Sequence, residues 1–178
     1  MDNLYEIYLA QAKLMHQDPK VWKGHMIKRY MPQIKEIIEE HKIDTILDYG
    51  CGKAQHHPDG WNSYKYDPAV PKFEKKPEAG RKFDLVICID VLEHIPQADL
   101  PRIVKEIFDY SGKYVFATAA TSKAGKTLPN GMNAHATVQP EEWWNELFAQ
   151  YYEDPYKKFT LDFTTKKTKR NSSDIYNL

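Results

Sequence analysis

The spacing of apolar residues changes along the chain and divides it into elements. In residues 2–16, Leu4, Tyr8, Ala12 and Met15 recur every three or four positions, the period of a helix. The spacing predicts a helix that packs this stripe on the domain; the alternative is a lid whose Tyr5, Tyr8 or Lys13 closes over a ligand. Residues 19–41 continue with Ile27, Met31, Ile34, Ile37 and Ile38 on one face. Pro32 lies inside that stretch. It has no N–H to donate and its ring crowds the preceding turn, so a break near Tyr30 and a fresh helix with proline in its first turn are expected. Trp22-Lys23-Gly24, just before, reads as a structural turn; the alternative is a loop that borders a pocket.

From residue 44 the pattern shortens. Residues 44–49 form an apolar run that stops in Asp48-Tyr49-Gly50-Cys51-Gly52. Residues 63–67 (SYKYD) alternate, and Pro68 ends them. Phe83 to Ile89 is almost continuously apolar, as a parallel strand buried on both faces requires. Leu100, Ile103, Val104, Ile107 and Phe108 return to the helical period, and Lys113 to Thr118 is a further buried strand. Pro140-Glu141-Glu142 has the proline and acids of a helix start and leads into Trp143, Trp144, Leu147 and Phe148. Phe159 to Phe163 alternates like a late antiparallel strand. Strand, helix, strand with helical lengths between them predicts an α/β fold on a mostly parallel sheet.

The gaps also carry information. Between Pro68 and Lys82 the chain is polar, with Pro71, Pro77 and Gly80, and has little room for a helix plus a strand. Residues 119–139 form a loop of the length usually kept for function. Residues 164–178, with Lys166, Lys167, Lys169 and Arg170, read as a solvated tail. The expected organisation is one domain over residues 1–163, with N-terminal helices to residue 41 and a core over residues 42–163.

Composition removes several function classes. The 178 residues hold 25 basic and 25 acidic side chains, so no net basic field draws nucleic acid. No apolar run is long enough to span a bilayer, and no signal-peptide pattern opens the chain. Cys51 and Cys88 have neither disulfide-framework nor metal-ligand spacing, which points to a reducing cytoplasm. His56 and His57 adjoin Asp59 in a segment of turn composition; they read as solvent-exposed or hydrogen-bonded histidines, and no metal is expected.

The Gly-x-Gly turn after the 44–49 strand changes the picture. Glycine has no Cβ and accepts positive φ, so backbone there can approach a ligand closely. Asp67 follows at the distance at which a second-strand acid meets ribose hydroxyls, and a carboxylate suits a vicinal diol because it accepts two hydrogen bonds.

Together LDYGCGKA, YKYDP, FDLVICIDVLEHIP and KYVFAT resemble the class I S-adenosylmethionine-dependent methyltransferases, and the small-molecule branch in particular, over residues 25–163. The resemblance implies a Rossmann-like sheet with helices on both faces and S-adenosylmethionine as cofactor. It implies that Asp48, Gly50, Cys51 and Gly52 line the methionine half, that Asp67 takes the ribose hydroxyls, and that Pro68 lies beside the adenine. Ile89 and Asp90 would border the cofactor with Val91 nearby, while Glu93 and His94 would fix the loop and helix start. Three departures stand out: Ala54 at the third glycine position, a third strand and helix missing or shrunk after Pro71, and a short C-terminal end.

A sulfonium methyl is electrophilic, so placing the acceptor in a dry pocket does most of the catalysis. His135, in the loop after the KYVFAT strand, is the candidate base; its other role is to pin that loop. Trp143, Trp144 and Tyr5 either wall the acceptor pocket or belong to the core. The Asn/Asp-Pro-Pro-Tyr/Phe and Pro-Cys signatures of nucleobase methyltransferases are absent after the FDLVICID strand. A small-molecule or glycan- or lipid-linked acceptor is therefore expected. The alternatives are a non-catalytic cofactor-binding module and a nucleic-acid methyltransferase tethered by Lys166 to Arg170.

Overall fold

The computed structural model describes residues 3–22, 25–152 and 157–164. Lys23, Gly24 and the basic cluster of the tail lie outside them. Helices α1 (Leu4–Gln17) and α2 (Met26–Glu40) precede strand β1 (Ile46–Tyr49). Strands β2 (Ser63–Tyr66) and β3 (Phe83–Cys88) follow, then α3 (Leu100–Tyr110), β4 (Ser111–Ala120), α4 (Glu141–Ala149) and β5 (Lys158–Thr164). The five strands form one sheet in the order β2-β1-β3-β4-β5.

Every neighbouring pair is parallel. That includes β5, which corrects the antiparallel expectation for residues 159–163. The chain leaves the end of β4, returns through α4 along one face and re-enters at the same edge, so β5 can only run parallel. Between β2 and β3 the chain makes one turn of 3-10 helix, Pro71–Phe73, and no strand, as the lean composition there predicted.

Alternate residues of the central strands meet different helices. Ile46, Leu85, Ile87, Tyr114 and Phe116 pack on one face against Ile27, Tyr30, Ile34 and Ile37 of α2. Leu47, Val86, Cys88, Val115 and Ala117 pack on the other against α3 and α4. Both faces are dry, which is why β3 and β4 read as continuous apolar runs. Trp144 is fully buried in this second layer, with Trp143 edge-on to it at 5.1 Å, so these tryptophans are core.

Where a third strand would lie, residues 68–82 run as a strap across the outer edge. The hydroxyl of Tyr64 donates to the carbonyl of Lys75 (3.1 Å) and that of Tyr110 to Pro77 (3.0 Å). The Arg81 guanidinium stacks on Tyr64 and Phe83, 5.0 and 4.7 Å from their centroids.

Helix α2 does not break at Pro32. The apolar residues on either side of the proline, Ile27 and Tyr30 before it and Ile34 and Ile37 after it, anchor on the same sheet face and hold the axis across the missing bond. Helix α1 differs from the preferred reading too. None of its residues is buried and Leu4 is 48 % exposed, because the helix faces a cavity rather than the core. Among the described residues no helix is long and apolar enough to cross a membrane.

The exposed proline gives a direct test of how far packing overrides local preference. Pro32→Ala restores a donor for the Lys28 carbonyl and should raise stability by about 1 to 3 kcal/mol in urea or guanidinium unfolding. An unchanged or lowered midpoint would mean that α2 is already adapted to the proline.

Candidate functional site

In this strand order the chain leaves β1 for β2 on one side and returns to β3 on the other, so a crevice opens at the carboxyl ends of β1 and β3. The glycine turn sits in that crevice. Gly50 and Cys51 both donate their amides to the carbonyl of Tyr66, at 2.7 and 3.1 Å, which ties the turn to the end of β2. Gly50 has φ +79°, and a Cβ there would stand 2.3 Å from Cγ2 of Val91. Glycine is thus required twice over, by the backbone and by the loop after β3. Ala54, in place of the third glycine, keeps a left-handed φ of 49° and bears the steric cost of its methyl there.

Asp67 holds the neighbouring turn. Its Oδ2 accepts from the Gly52 amide and its Oδ1 from the Ala69 amide, both at 2.8 Å. Each oxygen keeps a second lone pair for a ligand. Asp48, at the end of β1, is buried, and its pKa is pushed up to about 7, first by burial and then by the Asp67 charge, with Lys65 opposing. Nε2 of His57 stands 3.7 Å from Asp48 Oδ2 and closes no hydrogen bond, while its Nδ1 meets the Pro58 carbonyl at 3.2 Å. Burial, then Lys65, lower the pKa of His57, so its ring is neutral. The Cys51 and Cys88 thiols are raised by burial and stay protonated and inert.

A cavity of about 430 Å³ lies over this floor. Asp48, Gly50, Cys51 and Gly52 line it from β1. Asp67 and Pro68 line it from β2, and Ile89, Asp90 and Val91 from β3. All nine positions singled out in the sequence therefore meet in one space. Helix α1 forms the roof with Tyr5, Tyr8, Leu9, Ala12 and His16, which favours the lid over the packing reading; Lys13 takes no part. The ring of His16 lies over Gly52, and its buried Nδ1 has no partner.

His135 is not in this cavity. It lines an adjoining one of about 330 Å³, with Trp22, Asp90, His94 and Lys126 shared as the partition. The loop that carries it begins at residue 121 rather than 119, because Ala119 and Ala120 still pair with β5, and it is tightly bonded. Oδ1 of Asn133 accepts from the amides of Ala124 and His135, both at 3.0 Å, and Nδ2 donates to the Ala124 carbonyl at 3.1 Å. Two bonds also tie α1 to the loop: Tyr8 hydroxyl to the Asn133 carbonyl (3.3 Å) and Asn130 amide to Gln11 Oε1 (3.0 Å). Burial lowers the pKa of His94, with Asp90 opposing. Glu93 is 1 % exposed, and burial and then Asp90 raise its carboxyl well above the usual range.

A family model described as a methyltransferase domain matches residues 22–156. The chain belongs to that family, and with it to the class I S-adenosylmethionine-dependent methyltransferases. The comparison with curated proteins gives no match. The sheet has no strand between β2 and β3, so the FDLVICID segment, which resembled a fourth strand, is the third strand in the chain. Of the other lining residues, Tyr5 and Tyr8 of the roof and the loop at Trp22 were anticipated in the sequence, whereas Leu9, Ala12, His16 and His57 were missed. No local signal marks the missed ones, because only the fold brings them over the glycine turn.

Gly50→Ala is expected to cost about 2 to 4 kcal/mol in chemical denaturation, from overpacking plus the left-handed φ. In a Val91→Ala background the same change should cost clearly less. Equal costs in both backgrounds would show that the valine is not the obstacle.

Proposed function

We propose that the chain transfers a methyl group from S-adenosylmethionine to a small-molecule acceptor, as a single unit over residues 1–163 working in the cytoplasm. The supporting observation is the convergence of the nine positions on one cavity whose far wall, Asp90 and His94, is shared with a second. The residues suit the cofactor. Gly50 and Gly52 line the cavity without side chains, so backbone there can approach a ligand. The Asp67 carboxylate keeps lone pairs for a diol, and Asp48 is a buried acid whose one imidazole neighbour, His57 at 3.7 Å, is neutral, so it suits an ammonium group. The volume lies in the range of small-molecule sites. When bound, the cofactor supplies an electrophilic methyl on a sulfonium.

The protein's part is orientation, exclusion of water and handling of one proton. Asp67 and the Gly50–Gly52 backbone fix one end of the cavity, and α1 roofs it. The acceptor occupies the second cavity, across the Asp90–His94 partition. There the Nδ1 of His135 is engaged by the Ser122 carbonyl at 2.6 Å, which leaves Nε2 with a lone pair able to take a proton from the acceptor. Two free cysteines buried in different surroundings fit a reducing compartment.

Calorimetry with S-adenosylmethionine and its demethylated product tests the reading. Micromolar binding is expected, weakened at least tenfold in Asp67→Ala; no binding of either compound would overturn it. His135→Ala should retain that binding while lowering kcat by about 100-fold or more once an acceptor is known. Lost cofactor binding in that variant would instead assign His135 a structural role.

The raised Asp48 pKa gives a signed pH dependence. A cationic amino group favours the ionised acid, so affinity should fall as pH drops below about 7, and Asp48→Asn should flatten that acid limb. For stability the sign reverses. The folded pKa lies above the unfolded one, so the native state holds an extra proton between them. Its stabilisation of the ligand-free protein is present in acid and lost as pH rises through about 7. Parallel slopes for affinity and stability would refute the assignment.

A further inference from the structure

The partition between the two cavities contains more than a base requires. One atom each from Asp90, His94 and His135 lies within 4.8 Å of the others. The two imidazoles meet edge to face with centroids 5.1 Å apart. Each has its Nδ1 against a backbone carbonyl: His94 on Ala134 at 2.8 Å, His135 on Ser122 at 2.6 Å. A carbonyl only accepts, so each Nδ1 carries the hydrogen and each Nε2 presents a lone pair. This is the outer-shell arrangement that fixes the tautomer of metal-bound histidines.

We propose that Asp90, His94 and His135 bind one divalent transition-metal ion at the acceptor side of the methyl-transfer site. Two imidazoles and one carboxylate suit Mn²⁺, Fe²⁺, Co²⁺ or Zn²⁺ rather than Mg²⁺ or Ca²⁺. Three protein ligands leave coordination positions open toward the second cavity. Ligands about 2.1 Å from an ion stand about 3 to 3.5 Å apart, so only a small closure of the three side chains is needed.

This rests on the methyl-transfer reading and extends it to the acceptor, which would be a hydroxyl compound bound through oxygen. The ion lowers the pKa of that hydroxyl, and its proton passes to water. An oxygen lone pair forms the new C–O bond while the C–S bond breaks and its electron pair stays on sulfur. No electron is gained or lost, and the ion takes over the work of the free His135 Nε2.

The test uses chelator-stripped protein titrated with Mn²⁺ followed by electron paramagnetic resonance, and with Co²⁺ and Zn²⁺ followed by absorption and calorimetry. One equivalent is expected to bind. Affinity should fall at least tenfold in Asp90→Asn and in His135→Gln, and remain unchanged in His41→Ala, a control for adventitious histidine binding. His94 is deeply packed and its alanine variant risks misfolding, so the loop variant His135→Gln carries the decision. Binding of S-adenosylhomocysteine by the metal-free protein, measured in parallel, separates the two readings: it reports the cofactor site whether or not a metal binds. No stoichiometric binding of any of the three ions, or binding indifferent to both Asp90→Asn and His135→Gln, overturns the proposal.

Discussion

Val91 occupies the place where residue 50 would otherwise carry a Cβ, and the ligand end of the molecule depends on that close fit. It allows the turn after β1 and the loop after β3 to share one wall. The amides of Gly50 and Cys51 reach back to β2, and Asp67 accepts from Gly52, so three short bonds fasten the ends of β1 and β2 while the missing methyl lets the loop after β3 close on them. The same closeness buries Asp48 and sets the Asp67 charge near it, and burial first and that charge second keep its proton on near neutrality. Close backbone approach and a shifted carboxyl are thus one effect seen twice.

Above this floor the lid and the acceptor loop behave as a coupled pair. Tyr8 and Gln11 of α1 are bonded to the loop that carries His135. A helix with no buried residue gains little from the core, so these bonds and the cavity lining set its position. A ligand that moved α1 would move the acceptor side as well.

The central sheet was legible because buried parallel strands leave continuous apolar runs, and Phe83 to Cys88 can be little else. The cavity lining on β1, β2 and β3 was legible because a short motif at each strand end marks it. The direction of β5 was not. Phe159, Leu161 and Phe163 alternate with Thr160 and Asp162 whichever way the strand runs, and only the return through α4 decides. Pro32 misled for the opposite reason: a strong local rule gave way to four anchoring side chains. His57 read as a loop histidine, yet its side chain is almost fully buried against Asp48, a neighbour that the intervening turn alone could not predict.

The strap over residues 68–82 has a further consequence. In place of a strand, this segment is held by separate contacts: two tyrosine hydroxyls, a stacked guanidinium, the Lys76–Glu106 ion pair and the Asp67 amide on the Phe73 carbonyl. A ladder of backbone bonds opens as a unit, but these contacts let go one at a time. Amide hydrogens along this edge should therefore exchange with solvent in graded fashion, while those of β1, β3 and β4 exchange together only on global opening. The molecule has a cooperative centre and a non-cooperative margin, and Asp67 stands where the two meet.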